Sequence, residues 1–151
     1  MNKAKRLQSL VHLAKNDENH AARALGECQR LLSEQTARLE ELKSYRYEYI
    51  NQIQQMAGTG LGIETVQRYH QFVKRLDETI GMQGSVVERI RDEYEEKRRA
   101  WSAARVKHKS LDRAVTRHRA EESRRRERRE QDRSDDYVTG RYSCLEDDDH
   151  G

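Results

Sequence analysis

The chain contains no proline, and only one phenylalanine and one tryptophan occur among its 151 residues. The lack of proline removes the main obstacle to long, uninterrupted helices. Hydrophobic residues make up 34% of the chain and charged residues 38%, which leaves too little apolar material for a broad globular core. This composition favours long helices that bury one narrow apolar face.

Long apolar runs and cysteine are also scarce. No run approaches the ~18 apolar residues that a membrane-spanning helix needs, and the N-terminal sequence Met-Asn-Lys-Ala-Lys-Arg does not lead into a signal-peptide core. We therefore expect a cytoplasmic protein. Two cysteines do not make a disulfide framework, so we expect Cys28 and Cys144 to be reduced thiols.

The sequence does contain an apolar stripe with alternating steps of three and four residues. It is apolar at 11 of 14 positions from 11 to 56 and at 12 of 16 from 66 to 118, whereas the chain's 34% would give about five in each series. A helix presents such positions as one seam along its side, as in a coiled coil. Between the two series lie Gly58, Gly60 and Gly62, which permit positive φ angles and predict a hinge.

The two series and the hinge predict an all-α fold, an antiparallel two-helix coiled-coil hairpin with unequal arms and a disordered C-terminal tail. The predicted segments are a first helix over 3–57, a glycine-rich turn over 58–62, a longer second helix over 63–133 and an acidic tail over 134–151. The tail is expected to be disordered because the apolar periodicity stops and acidic residues accumulate.

Folding the arms together at the glycines pairs seam positions whose numbers sum to about 118 or 119, which places Gln35 opposite Gln83. Each is the only glutamine in the seam of its arm. A pair of polar residues in an apolar seam typically fixes the alignment of two helices, so we interpret these glutamines as register determinants.

The longer second arm gives the hairpin a basic open end. Residues 117–133 contain eight arginines and five acidic residues, with i,i+4 spacings such as Glu121 to Arg125 and Glu122 to Arg126 that predict stabilising ion pairs. Arginine-rich helices bind phosphates, so a nucleic-acid-binding coiled coil is one alternative. The interleaved acids and the absence of aromatic residues within the run argue against nucleic acid as the partner.

Phe72 lies just beside the seam and heads a stripe along one flank of the second helix. Leu76, Thr79 and Gln83 follow it at helical spacing. Two strands of a coiled coil do not cover a flank, so an exposed aromatic residue there is a candidate contact for a partner protein.

Sites for catalysis are not evident in the sequence. The glycine cluster lacks the Lys-Ser/Thr ending of a phosphate-binding loop, and the six histidines lack metal-ligand spacing. We therefore predict that the protein is not an enzyme and that it has no metal, cofactor or small-molecule substrate.

Several segments resemble the flagellar FliJ family, the coiled-coil components of the flagellar type III export apparatus. The resembling residues are Ala21-Ala22-Arg23-Ala24-Leu25-Gly26-Glu27, Leu39, Leu42, Tyr45, Glu48-Tyr49, Ile53, Tyr69-His70-Gln71-Phe72-Val73, Leu76, Ile80, Gln83, Trp101, Leu111, Arg113 and Arg129-Glu130-Gln131-Asp132. They cover residues 7 to 133 in order.

The resemblance implies a stalk that inserts its open end into the hexameric export ATPase FliI, contacts the export gate protein FlhA and escorts export chaperones. It implies peripheral association with the inner membrane through these partners. Phe72 and Leu76 match positions that the family uses toward the gate, whereas Thr79 and Gln83 differ from the family in residue type. The alternatives are the equivalent stalk of a virulence injectisome and a dimeric coiled coil whose arms pair between chains.

Overall fold

The computed structural model describes residues 2–60 and 62–148, and the side chains of these residues except those of 143–148. It contains helix α1, Lys3–Met56, a single 3-10 turn, Ala57–Thr59, and helix α2, Ile63–Asp148. The two helices pack against each other, and the described residues contain no strand. The predicted all-α hairpin with unequal arms is confirmed.

The helices begin and reverse at residues suited to those places. The side chain of Asn2 accepts a hydrogen bond from the backbone N–H of Lys5 at 3.0 Å, which caps the start of α1. In the turn, Gly60 has a φ of 78°, a left-handed conformation that glycine adopts without strain. The carbonyl of Gly62 then accepts the backbone N–H groups of Thr65 and Val66, both at 3.1 Å, and α2 begins.

The chain divides into two compact units, which we call the hinge unit, Asp17–Ala104, and the terminal unit, Met1–Asn16 with Arg105–Gly151. In the hinge unit the seam is most deeply buried at Cys28, Leu76, Val87 and Ile90. The thiol of Cys28 lies 3.9 Å from the carbonyl oxygen of Ile90, so it packs as a small seam residue.

Contacts between the helices of the hinge unit define its register. Cys28 meets Ile90, Gln35 meets Gln83 and Tyr49 meets Tyr69, and the numbers of each pair sum to 118. Arg46 occupies a seam position but turns its guanidinium to the carboxylate of Asp77 on α2, an ion pair that the periodicity did not predict.

The terminal unit buries Ala14 of α1 and Val115 of α2. Beyond Glu122, α2 continues as a helix whose side chains from 123 to 142 are all exposed. Here the structure differs from the predicted boundary, because residues 134–148, expected to be a disordered tail, are helical. Apolar periodicity reports where a helix is packed, and a helix without a packed face leaves no such signal. The side chain of Cys144 and the acidic residues 146–149 lie outside the described side chains.

Candidate partner-binding site

An aromatic cluster joins the two helices near the turn. The ring of Phe72 lies 4.5 Å from that of Tyr49 and 6.3 Å from that of Tyr45, measured between centroids. Tyr49 also contacts Tyr69 at 5.2 Å. These distances are typical of tilted and edge-on aromatic packing, which fixes the orientation of the rings.

The aromatic cluster is only partly covered by the two helices. Tyr45 is 51% exposed, and the other three rings are half-buried. Partial burial raises the pKa of the Tyr49 hydroxyl above its ordinary 10.0, and the neighbouring Tyr69 and Tyr45 raise it further. The cluster therefore presents a preorganised apolar surface with a few hydroxyl groups, as protein-binding sites often do.

The structure separates Phe72 from the other residues of its predicted stripe. Leu76 is only 8% exposed and packs inside the seam, so it has little surface to offer a partner. Thr79 is exposed, and its hydroxyl donates to the carbonyl of Arg75 within the same helix at 3.0 Å. The stripe from 72 to 83 is therefore not one continuous exposed face.

Gln83 is engaged by the opposite helix. Its side-chain N–H₂ donates to the side-chain oxygen of Gln35 at 2.9 Å and to the backbone carbonyl of Gln35 at 3.0 Å. Both residues are half-buried. The structure thus brings together the two seam glutamines that the register prediction paired, and the Gln83 amide is occupied within the chain.

Sequence reasoning did not assign Tyr45 and Tyr49 to the site. Tyr49 lies at one of the seam positions between 11 and 56, and Tyr45 stands out in the sequence only through the resemblance to the FliJ family. A signal was present, because the register that pairs Gln35 with Gln83 also brings Tyr45 close to Phe72. The site is therefore built from both helices, which a search along one helix does not reveal.

A second candidate surface lies on the terminal unit. Arg124, Arg125, Arg126, Arg128 and Arg129 are all exposed, and none of them makes an ion pair with a side chain that the structure describes. The expected i,i+4 ion pairs with Glu121 and Glu122 are therefore not formed. Glu122 instead lies 3.3 Å from Nε2 of His118, one turn before it.

The described part of the chain contains no group of three or more His, Cys, Asp or Glu residues placed to hold a metal ion. None of its helices has an apolar stretch long enough to cross a membrane. The surfaces that could bind another protein are the partly exposed aromatic cluster of the hinge unit and the exposed arginines of the terminal unit.

A comparison with models of known protein families identifies the family of this hairpin. The model described as "Flagellar FliJ protein" matches residues 2–144. The chain belongs to the FliJ family. No match was found among curated proteins or among solved structures.

Membership of the FliJ family confirms the resemblance and makes the chain a coiled-coil protein related to flagellar type III export. The FliJ match includes the aromatic cluster, the seam glutamines and the whole arginine-rich stretch. It therefore extends past residue 133, where the resemblance seen in the sequence ends, and covers both candidate surfaces.

Proposed function

We propose that this protein is a stalk-like subunit of the flagellar type III export apparatus. It engages the ring of the export ATPase FliI through its terminal unit and the export gate protein FlhA through its aromatic cluster. It also escorts export chaperones, works in the cytoplasm and associates with the inner membrane only through these partners. Family membership and the antiparallel hairpin support this role.

The observation that carries the gate contact is the half-exposed aromatic cluster. Tyr45 and Phe72 contribute ring surface from different helices at a fixed separation of 6.3 Å. A surface that is already ordered loses little side-chain entropy on binding, and aromatic residues often dominate binding energy. Phe72 is the centre of this proposed contact, and Leu76 supports it from within the seam.

The gate contact is tested by binding of the chain to the cytoplasmic part of FlhA. We expect Phe72→Ala and Tyr45→Ala each to weaken binding by about tenfold or more, which corresponds to roughly 1.4 kcal/mol. Tyr47→Ala is the matched control, since Tyr47 is a 69% exposed tyrosine outside the cluster. Unchanged binding of both cluster variants at intact helicity would contradict the assignment.

Leu76→Ala needs a separate interpretation. Because Leu76 is buried, its truncation should lower the free energy of unfolding by about 2–3 kcal/mol, the lower part of the range for core leucines. Binding of this variant is therefore measured below its unfolding transition. If it then binds FlhA like the wild type, Leu76 acts through packing alone.

The ring contact is tested by stimulation of the export ATPase. The intact chain should stimulate ATP hydrolysis by hexameric FliI, and a chain truncated after Arg117 should stimulate it less. The aromatic cluster lies in the hinge unit, so the truncated chain should still bind FlhA. Failure of the intact chain to stimulate FliI would count against the proposed function as a whole.

A further inference from the structure

A stripe of exposed residues runs along the start of α1, beside the seam. Its members follow steps of three, four and three residues and lie on one side of the helix, within about 80° of one another: Lys3, Arg6, Leu10 and Leu13. Leu10 is 49% exposed and Leu13 is 58% exposed, so the packing of α1 on α2 leaves both leucines uncovered. We call these four residues the α1 stripe.

A second stripe with the same spacing lies on α2, beyond the part of that helix that is packed. Its members are all exposed: Glu127, Glu130, Ser134 and Tyr137. We call them the α2 stripe. At 100° per residue, Arg125, Arg128 and Arg129 lie about 120° or more from its centre, so they belong to the other side of the helix.

The two segments that carry the stripes are opposite in charge. Residues 3–13 contain three basic residues and no acid, a charge of +3, whereas residues 127–137 contain three arginines and five acids, a charge of −2. Neither Glu127 nor Glu130 makes an ion pair with a side chain that the structure describes. The segments should therefore attract each other when they lie side by side.

Equal spacing lets the stripes meet in a single register. When the two segments run parallel at a constant offset of 124 residues, each member of one stripe faces one member of the other: Lys3 with Glu127, Arg6 with Glu130, Leu10 with Ser134 and Leu13 with Tyr137. The first two pairs join opposite charges, the third sets a leucine against a small side chain, and the fourth buries apolar surface. At the next position of each stripe, Asp17 in α1 and Arg141 in α2 continue the charge pattern.

These pairs cannot form within one chain. Helix α2 is continuous from Ile63 to Asp148, so the α2 stripe cannot fold back onto the start of α1. The side chains from 123 to 142 are accordingly all exposed. A second copy with its hairpin reversed brings the α2 stripe of each copy onto the α1 stripe of the other, and two-fold symmetry makes the two contacts identical.

We propose that two copies of this chain associate through their terminal units, with the α2 stripe of each copy packed on the α1 stripe of the other. Each hairpin stays closed in this dimer, which distinguishes it from a coiled coil whose arms pair between chains. The contact consists of few side chains, so the association is weak and reversible, as in transient complexes. The inference goes beyond the proposed function and does not depend on it, because neither FliI nor FlhA takes part.

Sedimentation velocity of the full-length chain over a concentration series measures the association. The wild type should shift from a 17.9 kDa monomer toward a dimer as its concentration rises. Glu127→Lys with Glu130→Lys should raise the dissociation constant about tenfold or more, because like charges then face each other. Lys3→Glu with Arg6→Glu should have the same effect, and both effects should shrink at about 0.5 M salt.

Mixing the two charge-reversed variants provides a rescue. In the mixed dimer, the reversed α2 stripe of one variant faces the reversed α1 stripe of the other, and the two unaltered stripes face each other. Every charge pair then joins opposite charges again. The mixture should therefore associate about as tightly as the wild type, although each variant alone is largely monomeric. Contacts at any other surface of the chain would give no such rescue.

The apolar part of the contact is tested separately. Leu13→Ser with Tyr137→Ser should raise the dissociation constant about tenfold or more at both low and high salt, because apolar burial is not screened. The matched control, Met82→Ser with Val106→Ser, replaces two exposed apolar residues outside both stripes and should leave association unchanged. Helicity should be unchanged in every variant, because the substituted side chains are exposed.

A wild-type chain that sediments as a monomer throughout the series would overturn the inference. Dimers that persist in both charge-reversed variants would also overturn it and would indicate arms paired between chains. A third contrary result is a monomeric wild type that binds anionic lipid vesicles through Lys3 and Arg6, since the α1 stripe would then face a membrane. All of these measurements are made without FliI or FlhA, so a contrary result leaves the proposed function intact.

Discussion

Gln35 and Gln83 place polar groups in an apolar stretch of the seam, and the N–H₂ group of Gln83 is paired there. The amide of Gln83 donates to both the side chain and the backbone of Gln35. A half-buried amide that loses its partner keeps most of its desolvation cost, whereas two apolar residues of similar size have none. The pair therefore favours one alignment at some expense in stability.

Single and double substitutions of Gln35 and Gln83 should therefore have opposite effects on the free energy of unfolding. Gln83→Leu should lower the free energy of unfolding by about 1 kcal/mol, because the side chain of Gln35 is left without its donor. The double substitution of both glutamines by leucine should restore or exceed wild-type stability. Urea denaturation followed by circular dichroism measures both, and a single variant as stable as the wild type would contradict a structural role for the pair.

Tyr49 should make the stability of the hairpin depend on alkaline pH. Its pKa in the folded chain is raised, mainly by burial, so above the ordinary value of 10.0 the unfolded chain releases this proton more readily than the folded chain. The contribution of Tyr49 is thus complete below pH 10 and is lost as the pH rises toward the folded-state pKa. Between pH 9 and 11.5, the free energy of unfolding measured by denaturation should fall less for Tyr49→Phe than for the wild type. Tyr47→Phe is the control and should behave like the wild type.

At the scale of helices, glycines inside α2 and in the turn have different consequences. A Cβ added at Gly81 would meet no atom within 4 Å, and Gly81 has no unusual backbone angle, whereas Gly60 has a φ of 78°. The flexible residue at 81 therefore costs helix stability without a packing benefit within the chain.

Gly81→Ala should accordingly raise the free energy of unfolding by about 0.5–1 kcal/mol, because alanine loses less backbone entropy in a helix. Gly60→Ala should lower it by about 1 kcal/mol, because an L-residue is strained in the left-handed region. Thermal melting of the two variants provides the comparison. If Gly60→Ala changed the free energy of unfolding by the same amount and in the same direction as Gly81→Ala, the turn would have adjusted to relieve the strain.

The sequence predicts each helix only where that helix packs against the other one. Steps of three and four residues located both arms, and the glycine cluster located the turn. The helix beyond residue 133 was not predicted from the periodicity, because the described side chains from 134 to 142 are all exposed and form no buried stripe. Local contacts support it, such as that of the Thr139 hydroxyl with the carbonyl of Asp135 at 2.8 Å.

The candidate site was predictable only in part, for a related reason. Phe72 was identified because a lone phenylalanine beside a seam is conspicuous. Leu76 fits both the seam and the flank in a one-dimensional pattern, and only the packing of the two helices decides that it is buried. Tyr45 joins the site through its contact with Phe72 on the other helix, so its assignment requires the register.

At the scale of the whole molecule, the two proposed binding surfaces belong to different compact units. Tyr45 and Phe72 lie in the hinge unit, and the exposed arginines between 124 and 129 lie in the terminal unit. Substitutions at sites that share no contacts usually have independent effects. The gate contact and the ring contact should therefore be separable by mutation.

The proposed coupling of an ATPase to a gate requires that the chain bind both partners, and the two proposed surfaces consist of different residues. Phe72→Ala should reduce affinity for FlhA about tenfold or more and leave stimulation of FliI unchanged, while truncation after Arg117 should reduce stimulation of FliI and leave affinity for FlhA unchanged. A chain carrying both changes should show the two losses together and no more, since effects at sites without shared contacts usually add. Binding and ATPase assays on the same preparations measure this, and a Phe72 variant that also lost FliI stimulation would show that one shared surface serves both partners.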